Sequence, residues 1–183
     1  SASVHDRTRF LRAKALAEEA VRESGLQHTI FAPSLVYSPG DRHLALLEWL
    51  SWLPAVPIPG RSHAQFQPIW AEDVADCLVA ALERPGTEER TEFDLAGPES
   101  LTYDDLVRAA LRPINRERPL LHVPMPVVRR SLRALERVTG PATFATADEA
   151  DLMEEPMVTP RGTADVEALG VNPLRMSAVL AAA

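Results

Sequence analysis

Amphipathic helices alternate with short β-branched or aromatic runs along this chain, and the alternation starts on a helix. Residues 8–24 carry a helical pattern that Gly25 is placed to stop, with Phe10, Lys14, Ala17 and Val21 on one face. The run 28–32, His-Thr-Ile-Phe-Ala, predicts a buried strand. A helix over 42–53, a proline-rich loop over 54–60 and a strand over 66–70 come next. Glu72 and Asp73 then open a strongly amphipathic helix to about residue 84, where acids suit the positive helix end. Residues 91–95 read as a strand, Thr102 and Asp105 as a cap opening a helix that Pro113 ends, and 119–123 as another strand. Pro126 begins a basic helix closed by Gly140-Pro141, and short helices are expected over 147–153, 163–169 and 176–182. The fold class expected is α/β: the C-terminal part of a Rossmann-like doubly wound parallel sheet, with a mainly helical C-terminal substrate region. Residues 1–111 would form the sheet part and 112–183 the helical part packed on it.

Such a sheet ordinarily starts with a phosphate-binding β-α unit, whereas this one starts in mid-fold. No two of the eight glycines lie close enough to make a G-x-G-x-x-G or Walker turn, so no function that needs one is carried by these residues. The net charge of −7 argues against a nucleic-acid partner. Arg129, Arg130, Arg133 and Arg137 are read as a solvated helix face. The single cysteine, Cys77, falls on the apolar stripe Val74, Cys77, Leu78, Ala81, Leu82, which points to packing rather than chemistry. One cysteine and no secretory pattern lead to an expected cytoplasmic location. No membrane span is expected, because the most apolar stretch, 44–59, is short and broken by Glu48, Pro54 and Pro57. The five histidines are scattered without metal-ligand spacing, so no metal is expected. Trp49 and Trp52 suit a substrate pocket, a protein or membrane surface, or a core stripe.

Several blocks in order resemble one family. Phe10-Leu-Arg-Ala-Lys14, then Thr29-Ile-Phe-Ala-Pro33-Ser34-Leu35-Val36-Tyr37-Ser-Pro39-Gly40-Asp41, resembles the active-site helix and following strand of extended and atypical short-chain dehydrogenases. Gln67-Pro68-Ile69-Trp70-Ala71-Glu72-Asp73-Val74-Ala75 and Phe93-Asp-Leu-Ala-Gly97-Pro98-Glu99-Ser-Leu101-Thr102 are similar to later blocks of the same family, especially its NmrA-like and complex I accessory-subunit-like branches.

The resemblance implies a Tyr-x-x-x-Lys pair on the first helix, the lysine holding the cofactor ribose and lowering the pKa of the tyrosine that acts as acid. Lys14 matches, but Phe10 stands in the tyrosine's place and has no proton to give. Ser3, or Ser1, falls near the serine that polarises the substrate carbonyl; His5 could supply a proton, although a loop histidine is the plainer reading. Pro33, Ser34, Leu35 and Val36 correspond to the segment whose backbone meets the nicotinamide carboxamide. The expected cofactor is NAD or NADP, bound by the parent protein and weakly or not at all by this piece alone. The function expected is that of a weakly catalytic or non-catalytic NAD(P)-binding protein with a sensing or assembly role. The alternative is an NAD(P)H-dependent oxidoreductase or epimerase-like enzyme for a small carbonyl or quinone-like substrate. Partners would be a small-molecule substrate, the missing N-terminal half, or a second copy. The strand after the Lys14 helix should show an edge that the missing half, another chain or a rearranged element would cover.

Overall fold

The computed structural model describes residues 8–60, 63–83, 91–139 and 146–182. Helix α1 (Arg9–Glu23) is capped by Thr8, whose hydroxyl accepts from the Leu11 amide at 3.3 Å. Gly25, at φ +71°, then turns the chain away from the helix. Strand β1 (Ile30–Pro33) runs parallel to β6 (Glu92–Leu95), with the Phe31 and Phe93 rings stacked at 5.7 Å. Among the described residues β2 (Val36–Tyr37) also runs parallel to β5 (Ile69–Trp70), and β3 (Val56–Pro59) to β8 (Leu120–Val123). One antiparallel pair joins β4 (Gln65–Phe66) to β7 (Leu101–Thr102). The helices between and after them are α2 (Arg42–Leu50), α3 (Ala71–Glu83), α4 (Tyr103–Leu111), α5 (Met125–Thr139), α6 (Ala147–Leu152), α7 (Ala164–Ala168) and α8 (Met176–Ala182). The class is α/β, as the alternation requires.

Burial divides into two clusters. One lies over β1 and β6, where Ile69, Cys77, Phe93, Leu95, Val166 and Leu169 pack between α3 and α7. Cys77 is fully buried there, and burial pushes its thiol up to about 11, so it packs as a small hydrophobe. The other joins α2, β3, α4 and α8 through Leu47, Val56, Ile58, Phe66, Leu106, Val107 and Met176. Asp165 ties α7 to the first cluster: it accepts from the Asp94 amide at 2.8 Å and pairs with Arg161 at 3.3 Å.

Four expectations are corrected. The loop expected over 54–60 contains a strand: Val56 and Ile58 are buried, and Pro57 and Pro59, which lack N–H donors, alternate with them on an edge. The strand expected over 66–70 is two strands, because Gln67 leaves the ladder to donate to Met157 O at 3.1 Å and to accept from Gly97 N at 3.2 Å. Strand β1 is not buried, since Ile30, Phe31 and Ala32 are half-exposed and Pro33 is exposed. Its sheet holds β6 as the other strand among the described residues, so the far side of β1 has no paired strand among them. Trp49 and Trp52 are 66% and 71% exposed, which excludes a core stripe; the Arg116 guanidinium lies 3.5 Å from the Trp52 ring centre.

Candidate functional site

Helix α1 meets the rest of the described chain through Thr8, Leu11, Arg12, Ala15 and Glu18, which keep helical spacing and are buried or half-buried. Arg22 fastens its last turn by donating to Glu92 at 2.6 Å. The other face, Phe10, Lys14, Ala17 and Val21, is exposed, Phe10 by 51%. Lys14 Nζ stands 5.5 Å from the centre of the Phe10 ring, and no carboxylate pairs with it among the described residues. The family spacing thus puts residues 10 and 14 together on one open helix face. Ser1, Ser3 and His5 lie outside the described residues.

The segment 33–36 crosses the carboxyl ends of the parallel pair β1 and β6, the end of an α/β sheet where ligands are ordinarily held. Ser34 is committed to the fold: its amide donates to Leu95 O at 2.8 Å, and its hydroxyl donates to Met157 O and accepts from Gln67 N at 3.3 Å. Pro33 is exposed and has no N–H. Leu35 and Val36 instead enter the wall of a cavity of about 520 Å³, within the range of small-molecule sites. That cavity is bounded by α2, β3, α4, α5 and α6, and no residue of α1 lines it among the described residues.

Sequence reasoning missed the polar groups of this cavity. Tyr103 is buried, with its Oη 3.5 Å from His43 Nε2, and both residues line the wall. Burial raises the pKa of Tyr103 and lowers that of His43, although Asp41 and Glu149 oppose the second effect, so both groups are held neutral. Tyr37, also in the wall, is 4% exposed, and its buried hydroxyl has no hydrogen-bond partner among the described residues. Tyr37 lies inside the block that carries the resemblance, but Tyr103 and His43 stand 60 positions apart and only the fold joins them.

The chain is similar to the mitochondrial NADH dehydrogenase [ubiquinone] 1 alpha subcomplex subunit 9. It is 32% identical over 131 residues to the Arabidopsis thaliana protein, covering 70% of this chain, and 26% identical to the Mus musculus protein, covering 94%. It spans 32% and 46% of the length of these two relatives. No family model matches the chain. Among solved structures, a nucleoside-diphosphate-sugar epimerase from Staphylococcus aureus superposes with a TM-score of 0.72 at 15% identity, over 97% of this chain and 61% of that one. A human epimerase family protein solved with NADPH gives 0.67 at 20% identity, over 94% and 53%. The fold is therefore that of Rossmann-like epimerases and reductases. The cytoplasmic location expected from the sequence is overturned, because the matched relatives are named as mitochondrial proteins. A lone thiol as deeply buried as Cys77 carries no information about its compartment.

Proposed function

We propose, for a chain that belongs to the atypical short-chain dehydrogenases/reductases, that the parent protein binds NAD or NADP and turns it over slowly or not at all. The observation that carries this reading is the exposed pair on α1, where Lys14 lies on an open face beside Phe10, which offers no proton. A lysine so placed fits a cofactor ribose, and Pro33, Ser34, Leu35 and Val36 are the segment that the resemblance sets at the carboxamide end, although the Ser34 amide and hydroxyl and the Leu35 carbonyl are already bonded within the fold. Bound NAD(P) would supply hydride chemistry; the residues here would bind and orient its nicotinamide half. Nothing in these residues suits the diphosphate, so the reading requires a further segment carrying the glycine turn, for which the open edge of β1 is the natural seat. Ser3 keeps the carbonyl-polarising role that the resemblance assigns, now without its tyrosine. The partnership we favour is that of an accessory subunit in a respiratory NADH dehydrogenase, the assembly its relatives are named for.

The test is a cofactor assay on the whole protein with a panel of small carbonyls and quinones. Binding of NADPH or NADH without sustained oxidation is the expected result. Steady oxidation with any member of the panel would instead establish the second reading, an NAD(P)H-dependent oxidoreductase. The cavity against Leu35 and Val36 favours that alternative, since it gives a substrate somewhere to lie.

A further inference from the structure

We propose that the cavity between α2, α4 and α5 binds a neutral small molecule with a hydrocarbon body and one hydrogen-bond-accepting oxygen, which Tyr103, with His43 beside it, receives. This deepens the second reading by naming a ligand class, and it rests on that reading only for the chemistry after binding. The walls are hydrocarbon, with Leu47 and Ile58 on one side and Leu106 and Leu132 among the others, which suits an apolar body.

Among the polar groups of the wall, Tyr103, His43 and Tyr37 leave hydrogen-bonding capacity unused. The Tyr103–His43 contact of 3.5 Å is long against about 2.7–3.0 Å for a good bond, so each group has capacity left for a third atom. A Tyr103 hydroxyl turned toward a ligand oxygen donates to it, and a neutral His43 with its proton on Nε2 donates to the same atom. Tyr37, with its unpaired buried hydroxyl in the same wall, is a further donor.

The charges select against an acidic head. Asp41 and Glu149 line the wall, and both are held in place by backbone amides: Asp41 accepts from Leu44 N at 2.7 Å and Ser38 N at 3.0 Å, and Glu149 from Thr146 N at 2.8 Å. Arg42 is the one guanidinium among the described lining residues, so two carboxylates face one cation and a carboxylate ligand is disfavoured over a ketone or quinone oxygen.

Displacement of Nile red from the whole protein, with no nicotinamide cofactor present, tests this. The expectation is that 2-decanone displaces the dye at a concentration about tenfold lower than decanoate does. Tyr103→Phe, which keeps the volume, should weaken the ketone about fivefold and leave the acid unchanged. Leu106→Trp, which fills the cavity, should abolish dye binding. Equal displacement by ketone and acid, or a ketone indifferent to Tyr103→Phe, overturns the proposal. So does dye binding that survives Leu106→Trp or is lost in Trp49→Ala, because the dye would then sit on the exposed tryptophans. Because no cofactor is added, failure of the cofactor reading leaves this result unaffected.

Discussion

At Gly97 a single added carbon has nowhere to go. A Cβ there would lie 1.7 Å from the Pro68 carbonyl oxygen, a backbone atom, so the strand crossing itself would have to move. Gly97→Ala is expected to cost about 3 kcal/mol, read as a lowered urea midpoint with unchanged slope. An unaltered midpoint would mean that the crossing is loose. His43 gives a pH test with a definite sign. Burial lowers its pKa in the folded state below the ordinary 6.5, so the unfolded chain takes up the proton first and stability falls as pH drops below that value. Between about pH 7.5 and about pH 5.5 the native protein should lose more stability than His43→Gln does, by denaturant titration at both values. Of these residues, the sequence made Phe10 and Lys14 visible through their spacing. It hid Tyr103 and His43, because Tyr103 sits in the first turn of a helix that a capping pattern already explained.

Elements with local signals were readable at close to their observed bounds. Thr102 caps its helix as its spacing implied, accepting from Asp105 N, and Thr8 caps α1 by accepting from Leu11 N. Strand β3 was not readable, because two prolines in five residues are the signature of a loop, and only pairing with β8 and burial of Val56 and Ile58 override it. Phe10, Lys14, Ala17 and Val21 share one face of α1 as their spacing implied, but periodicity does not say what covers it. Here the helix docks through the Thr8, Ala15 and Glu18 side and leaves Phe10 and Val21 in the open. At this scale two outcomes are expected. The amides of Ile30 and Ser34 bond toward β6, so by alternation the Phe31 amide faces the open edge; its hydrogen exchange should be fast in this chain and slow in the whole protein. Equal exchange in both would show that no strand is added there. Asp165→Ala, which strips a bond from the Asp94 amide and an ion-pair partner from Arg161, should lower stability by about 2–3 kcal/mol in thermal melts; no loss would exclude the α7 anchor.

For the molecule as a whole, the described residues form a Rossmann-like α/β unit joined to a second apolar core with its own cavity. On the proposed reading, the unpaired side of β1, the exposed Lys14 face and the absence of a glycine turn from the sequence share one explanation, a further segment that carries the phosphate-binding turn. That coherence depends on Lys14 touching a cofactor once the rest of the protein is in place. An equilibrium titration of the whole protein with NADPH and NADH, native against Lys14→Ala, addresses it most directly. If Lys14 holds the ribose, the substitution weakens binding tenfold or more, about 1.4 kcal/mol, with the melting profile of the free protein unchanged. Identical affinities for the two proteins would contradict it.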